Sequence, residues 1–150
     1  MTPAVEAATR AGIEFRLHEY EGVTVGEGDY ALAVATALDI PPARLFKTLV
    51  ASVDGSLAVF IVPAGHQLDL RAAGKRVVLA GRAEAERATG YVVGGISPLG
   101  QRKRLPATLD ISALEWETIL VSAGRRGLQI ELAPADLAAL TGAKLAAIAK

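Results

Sequence analysis

Apolar and polar residues alternate along residues 13–20, which is the pattern of a strand with one buried face. The apolar side carries Ile13, Phe15 and Leu17. The polar side ends in His18 and Tyr20. We therefore predict a half-buried strand near the start of the chain.

Two β-rich runs, residues 45–53 and 56–62, are joined by Asp54-Gly55. Asp-Gly between two such runs is a strong hairpin signal, because its residues accept the left-handed backbone of a tight turn. Short apolar or β-branched runs predict further strands at residues 77–79, 91–93, 108–111, 118–122 and 128–132.

Helices are predicted where a capping residue precedes a segment and glycine follows it. Thr2 and Pro3 begin a helix over about residues 3–11, and Asp29 caps a second one that runs to about residue 38. Further helices are predicted at residues 68–74, at residues 83–88, from Pro134 to about residue 142, and in the tail from residue 143.

The predicted strands are numerous, several are joined by hairpins, and the helices fall at the edges and ends. This order lacks the regular strand–helix alternation of a doubly wound sheet. We predict an α+β fold with a mixed, mostly antiparallel, barrel-like sheet and peripheral helices. A length of 150 residues suits one domain, residues 1–150, with a sizeable core.

The amino-acid composition excludes several kinds of functional site. The chain has no cysteine, which excludes disulfides, thiol catalysis and cysteine-ligated metal, and its two histidines are far apart in sequence. We expect neither a metal nor a cofactor. The formal net charge is zero, so any anion must be bound locally. The chain shows neither a signal peptide nor an apolar run of about 18 residues, so we expect a cytoplasmic protein without a membrane span.

Lys47 shares one face of its predicted strand with the apolar Leu49, Ala51 and Val53. Two interpretations are open. The lysine can lie at the start of the strand and extend its ammonium to water. Alternatively, it can contact a phosphate or carbonyl group inside a pocket, where lysine acts as a point charge.

The stretch GYVVGGISPLGQRKRLP, residues 90–106, combines a glycine loop with three consecutive basic residues and contains no acid. Glycine allows a backbone to approach a ligand closely and to direct N–H groups at it. The spacing matches neither a P-loop nor a dinucleotide fingerprint. A second basic pair, Arg125-Arg126, stands between glycines. Together, the two basic clusters suit a locally bound polyanion such as the end of an RNA.

A protein nucleophile is hard to find. Ser97 and Ser122 lack the G-x-S-x-G elbow, and no motif links His18 or His66 to a serine. No residue therefore stands out as a nucleophile or a general base.

Three segments, in order, carry a family resemblance: FKTL at residues 46–49, the stretch at residues 90–106, and VSAGRRGL at residues 121–128. They resemble the YbaK-type aminoacyl-tRNA deacylases, relatives of the editing insertion domain of bacterial prolyl-tRNA synthetase. The resemblance covers essentially the whole chain. It implies a mixed, barrel-like sheet and an enzyme that acts on the aminoacylated 3′ end of mischarged tRNA, with cysteine on proline tRNA as the expected substrate.

The resemblance also implies roles for individual residues. Lys47 is expected to bind the 3′ end of the tRNA, and the backbone of residues 94–98 the terminal adenosine and the ester carbonyl. The residues implied as catalytic are Lys47, Gly94 and Gly95. Those implied as substrate-binding are Tyr20, Thr48, Ile96, Ser97, Pro98, Ser122 and Gln129. Those expected to bind tRNA are Arg102, Lys103, Arg104, Arg125 and Arg126.

The resemblance explains the missing nucleophile as well. In the cysteine-specific branch the substrate's own thiol attacks its ester and expels the tRNA, so the enzyme supplies positioning and oxyanion stabilisation. One departure is Gln129, where relatives usually carry aspartate, which removes a charge. Three alternatives stay open: a deacylase for another amino acid such as alanine, a tRNA-end or nucleotide-binding module without turnover, and a small-molecule hydrolase. Prolyl-tRNA synthetase is a candidate partner.

Overall fold

The computed structural model describes residues 1–25 and 28–150 and contains the predicted mixture of helices and strands. The helices are α1 Pro3–Ala11, α2 Tyr30–Leu38, α3 Leu70–Ala73, α4 Arg82–Thr89 and α5 Pro134–Thr141. The strands are β1 Phe15–Glu19, β2 Phe46–Val53, β3 Ser56–Pro63, β4 Val77–Leu79, β5 Ala107–Asp110, β6 Ile119–Arg125, β7 Leu128–Leu132 and β8 Lys144–Ala146. Short 3₁₀ turns span Pro42–Arg44 and Ile111–Glu115.

The capping residues act as the sequence predicts. Thr2 Oγ1 accepts the N–H of Val5 at the start of α1, and Asp29 Oδ1 accepts the N–H of Leu32 at the start of α2. Each bond satisfies one of the backbone donors that a helix start leaves open. Both helices are therefore confirmed.

The β2–β3 hairpin is also confirmed. Asp54 and Gly55 have positive φ values of 53° and 90°, which is the backbone of a tight hairpin turn. This hairpin forms the centre of a five-stranded sheet ordered β4-β2-β3-β5-β8, and a second sheet is ordered β1-β7-β6. Among the named strands, the β3–β5 and β5–β8 pairings are parallel and the other four are antiparallel, in agreement with the predicted mixed, mostly antiparallel sheet.

The two sheets approach each other at a parallel bridge between Leu45 and Leu120. They share the main apolar core, to which Phe46 and Ile61 contribute from one sheet and Val121 and Ile130 from the other. The predicted α+β class is confirmed, but the sheets do not close into a barrel.

Residues 91–93 do not form the predicted strand. The Tyr91 ring is buried and its hydroxyl donates to the Leu99 carbonyl at 2.6 Å, whereas Val92 is about half exposed. The N–H of Gly95 donates to Val92 O at 2.8 Å, which closes a turn. Anchoring of the tyrosine inside the core thus replaces strand pairing in this segment.

The tail after residue 143 is not helical either. Gly142 ends α5 with a φ of 69°, and β8 then pairs in parallel with β5. The carboxylate of Asp110 accepts the N–H groups of Ile148 and Ala149, so tertiary contacts hold the tail extended.

Strand β1 lies at a sheet edge, and this decides which of its residues are buried. Leu17 faces the same side as its core partner Ile130 but stays 45% exposed, as expected for a strand that ends its sheet in the described structure. Tyr20, predicted on the polar side, is buried in a second apolar cluster with Val34 and Leu120.

Candidate active-site cleft

A cleft of about 740 Å³ opens along the first half of β2. Strand β4 pairs only with residues 51–53 of β2, so no strand of the described ranges 1–25 and 28–150 lies beside the edge of β2 before them on that side. The start of α2, the segments near residues 65–67 and 79–82, and the turn at residues 93–96 surround this free edge. Strands β6 and β7 complete the cleft with Ser122 and Gln129, which are directly paired.

Lys47 lines the cleft and does not simply extend into water. Its side chain is 24% exposed, and its Nζ lies 3.7 Å from Oδ2 of Asp29. The lysine therefore places a positive charge at the cleft wall, with one carboxylate nearby.

Thr48 and Gln129 also line the cleft, and both carry an unpartnered oxygen. Thr48 Oγ1 and Gln129 Oε1 are buried and find no hydrogen-bond partner among the described residues. A buried polar atom without a partner costs about 1–3 kcal/mol, so such atoms are commonly reserved for a ligand or an ordered water. Ser122, by contrast, already accepts the N–H of Gly124 at 3.2 Å.

Tyr20 supports the cleft from behind. It does not line the cleft, but its hydroxyl lies 2.8 Å from that of Tyr30, which does. Burial, followed by this hydrogen bond, raises the pKa of Tyr30 well above its usual value. Tyr30 therefore keeps its proton at neutral pH and can act as a hydrogen-bond donor.

The glycine loop divides between the cleft and the core. Gly94 and Ile96 line the cleft. Gly95 packs on the backbone of the Arg125-Arg126 turn, where an added Cβ would lie 2.8 Å from Arg125 Cα. Of the residues 94–98 that were expected to bind the adenosine and the ester, only Gly94 and Ile96 thus line the cleft, and the binding role of the loop stays a prediction.

Ser97 and Pro98 lie outside the cleft as well. Ser97 is fully buried and its Oγ accepts the N–H of Leu99, so it stabilises the loop internally. Pro98 lines a separate hollow of about 220 Å³ on the other side of the loop. Neither is placed to contact a ligand in the cleft.

The turn that carries Gly94 is held by two charged side chains. Glu86 Oε2 accepts the N–H of Val93 at 2.7 Å, and Arg126 Nε donates to Val93 O at 2.8 Å. The hydrogen bond from Val93 holds the pKa of Glu86 below its usual value. This pair of contacts fixes the turn at the cleft wall.

The predicted tRNA-binding residues are not brought together. Arg126 lies beside Gly94 at the cleft, whereas Arg125 is exposed and its Nη1 donates to the carbonyl of the neighbouring Arg126. Lys103 and Arg104 line the 220 Å³ hollow beyond the loop. Arg102 packs against Gly90, also away from the cleft.

Five further polar residues of the cleft were not predicted as site residues from the sequence. They are Asp29, Tyr30, His66, Gln67 and Arg82. Asp29 was assigned only its capping role, and no local pattern distinguished the other four. Their placement depends on how α2 and the segments after β3 and β4 meet the edge of β2.

Among residues 1–25 and 28–150, no three or more acidic or histidine side chains cluster in a way that could hold a metal. Within the same ranges, no helix is both long enough and apolar enough to cross a lipid bilayer.

Residues 27–140 match the family model of the aminoacyl-tRNA editing domain. EbsC of Enterococcus faecalis, a proposed Cys-tRNA(Pro)/Cys-tRNA(Cys) deacylase, is 38% identical over 136 residues, which cover 87% of this chain and 83% of that protein. The uncharacterised YwhH of Bacillus subtilis is 25% identical over 116 residues, 74% of each chain.

Solved structures agree with the fold. A proposed trans-editing enzyme for prolyl tRNA synthetase superposes with a TM-score of 0.83 at 26% identity, covering 100% of this chain and 99% of that one. A hypothetical protein superposes with a TM-score of 0.87 at 24% identity, covering 99% of both chains, which supports the fold alone.

Proposed function

Since the chain belongs to the aminoacyl-tRNA editing domain family, we propose that it is a single-domain, trans-acting deacylase that releases cysteine from mischarged Cys-tRNA(Pro). The relationship to EbsC supports the reaction and the substrate.

The observation that carries the proposal is the arrangement of Lys47, Thr48 and Gln129 in one cleft. All three residues line a cavity of about 740 Å³, and Thr48 and Gln129 each carry a buried oxygen that has no hydrogen-bond partner among the described residues. Small-molecule sites commonly measure roughly 300–1,000 Å³ and hold a few such polar groups. This size and polarity suit a terminal nucleoside that carries an amino acid.

Lys47 supplies the positive charge for the tRNA end. A lysine recognises phosphate as a point charge rather than by a fixed fork of donors. Its position on the free edge of β2 leaves the ammonium accessible from the cleft.

The substrate provides its own nucleophile. The cysteine thiol attacks the ester carbonyl, a carbon–sulfur bond forms, the ester carbon–oxygen bond breaks, and the thiol proton passes to the departing ribose oxygen. The products are a cyclic thiolactone and free tRNA. Holding the two groups in attack geometry is worth up to about 7–11 kcal/mol in general.

Backbone N–H groups of the glycine loop stabilise the developing oxyanion. Pro98 has no N–H, and that of Gly95 is already donated to Val92. The donors are therefore those of Gly94 and Ile96, which line the cleft. Among the described residues, no serine or threonine hydroxyl of the cleft is bonded to a histidine, in keeping with a reaction that needs no protein nucleophile.

We also propose prolyl-tRNA synthetase as the source of the mischarged tRNA, which places the protein in the cytoplasm with translation. Support comes from the structural similarity to a proposed trans-editing enzyme for that synthetase. The neutral net charge of the chain fits an enzyme whose tRNA selectivity depends on a partner.

The test is a panel of proline tRNAs charged with cysteine, alanine, serine or proline. We expect rapid release of cysteine as its thiolactone and little release of correctly attached proline. Release of alanine in preference to cysteine would overturn the substrate. Protection of every ester from spontaneous hydrolysis would overturn the activity and would identify a binding protein instead.

A further inference from the structure

Asp29 is the only carboxylate among the described residues that line the cleft. The other charged side chains of the described residues that line the cleft are those of Lys47 and Arg82, and both are cationic. The cleft therefore has one place where a cation is attracted.

The two oxygens of Asp29 have different surroundings. Oδ1 accepts the N–H of Leu32 at 3.2 Å and caps α2. Oδ2 lies 3.7 Å from Lys47 Nζ, beyond the usual 2.7–3.2 Å of an N–H···O hydrogen bond. A carboxylate oxygen has two lone-pair sites, so Oδ2 retains acceptor capacity for a ligand.

An aminoacyl ester presents one cation close to its reacting carbonyl, the α-ammonium group. We propose that Asp29 binds this α-ammonium and so selects substrates with a free amino group, an inference that rests on the proposed function. The charge of Asp29 is essential for this, because the start of α2 carries a partial positive charge that on its own repels a cation.

Binding of the α-ammonium by Asp29 can be distinguished from a simpler role in which Asp29 only positions Lys47. A positioning role affects every ester that Lys47 helps to bind. Recognition of the α-ammonium affects only substrates that carry it, so the ratio between two such substrates is the informative quantity.

The chain offers a matched variant. Asparagine caps helices about as well as aspartate, so Asp29→Asn removes the charge while keeping α2 capped. Circular dichroism and the melting temperature verify that the fold is retained. Asp29→Glu restores the charge on a longer side chain and serves as the conservative comparison.

The experiment compares Cys-tRNA(Pro) with 3-mercaptolactyl-tRNA(Pro), in which a hydroxyl replaces the ammonium, at pH 6, below the ordinary α-amino pKa of about 7.7–8.0. We expect the wild type to favour the amine in kcat/KM by about 10- to 100-fold, the range of a charge-assisted hydrogen bond. Asp29→Asn should lower the ratio to near one by slowing only the amine substrate, and Asp29→Glu should recover part of it.

An unchanged ratio in Asp29→Asn would overturn the inference, whether both substrates slow together or neither slows. In that case wild-type deacylation would still support the proposed function. A wild type that released neither substrate would overturn the proposed function, and this inference with it.

Discussion

Asp110 Oδ1 accepts the backbone N–H of Ile148 at 2.8 Å, which ties the end of β5 to the C-terminal segment. The same oxygen accepts the N–H of Ala149 at 3.0 Å, and Oδ2 accepts that of Ser112 at 3.2 Å. Burial opposes ionisation of this carboxyl, but the hydrogen bonds outweigh it and hold the pKa of Asp110 below its usual value. This buried side chain therefore adds to the β5–β8 pairing and to the backbone hydrogen bonds between Gln67 and Lys150 in holding the tail in place.

Removing this carboxylate should destabilise the protein in a pH-dependent way. We expect Asp110→Ala to lower the free energy of unfolding by about 2–3 kcal/mol at pH 7, because charged hydrogen bonds to buried donors are lost. Since the pKa of the folded state is depressed, the contribution is complete above the unfolded pKa of about 3.9 and disappears as the pH falls through the folded value.

Urea unfolding of both proteins between pH 7 and about pH 3 measures this difference. The deficit should shrink toward the acidic end. Glu14→Ala, which removes an exposed carboxylate, is the control and should change stability by less than about 0.5 kcal/mol. A deficit in Asp110→Ala that is equal at both ends of the range would show that the charge is not involved.

The tail also shows why part of the fold could not be predicted. Local propensity favours a helix in the alanine-rich residues 143–149, and the sequence cannot reveal that a carboxylate 38 positions earlier captures their backbone. The caps and the hairpin were predictable because Thr2, Asp29 and Asp54-Gly55 act within a few residues of themselves.

The residues of the site also divide into those that could be predicted from the sequence and those that could not. Lys47, Gly94 and Gln129 were predicted from motifs, and the cleft contains all three. Asp29 was assigned a cap and nothing more, because its approach to Lys47 depends on packing between α2 and β2. Ser97 and Pro98 were predicted at the site because they share a motif with Gly94, but the loop turns away into the core after Ile96.

Replacing Lys47 should abolish most deacylation. We expect Lys47→Ala to lower kcat/KM at least about 100-fold, the effect of losing one electrostatic contact to the reacting ester or its phosphate. Lys144→Ala is the matched control, since Lys144 is exposed on β8 at the opposite edge of the five-stranded sheet. Single-turnover release of cysteine from Cys-tRNA(Pro) measures both, and near wild-type rates for Lys47→Ala would refute its role.

Gly95 should be required for folding rather than for chemistry. An added Cβ would lie 2.8–2.9 Å from backbone atoms of Arg125 and Arg126, a contact that neither side can relieve cheaply. We expect Gly95→Ala to cost about 1–3 kcal/mol in the free energy of unfolding. Gly81→Ala meets no atom within 4 Å and should cost about 0.5 kcal/mol as a poorer cap of α4.

Thermal or urea unfolding compares the two glycine variants. Equal stabilities would contradict the packing argument. If Gly95→Ala remained as stable as the wild type but lost activity, the residue would have to act directly on the substrate.

Gln129 offers a variant with opposite effects on stability and binding. Its Oε1 is buried without a partner in the described protein, so Gln129→Leu removes an unsatisfied acceptor and should leave the free energy of unfolding unchanged or higher. If the oxygen is reserved for substrate, KM should rise about 2- to 10-fold, the value of one neutral hydrogen bond. Lower stability together with an unchanged KM would show that Gln129 only completes the core.

Arg126 and Arg125 are adjacent and both are exposed, yet they should differ in function. Arg126 Nε holds the Val93 carbonyl and so fixes the turn of Gly94 at the cleft, whereas Arg125 Nη1 donates to the carbonyl of its neighbour. We expect Arg126→Ala to lower kcat/KM about tenfold and Arg125→Ala less than about threefold, because only the first loses a charged hydrogen bond to the turn that carries Gly94.

Measuring both variants at several salt concentrations tests whether Arg126 acts by positioning the turn or by attracting the tRNA. Each variant removes one positive charge from the same turn, so the loss of charge is matched. Screening weakens long-range attraction to tRNA as ionic strength rises, but it leaves a short hydrogen bond largely intact. The difference between Arg126→Ala and Arg125→Ala should therefore persist from about 0.05 to 0.5 M salt. If the two variants converged at high salt, Arg126 would act as one more positive charge near the cleft and not as the residue that holds its wall.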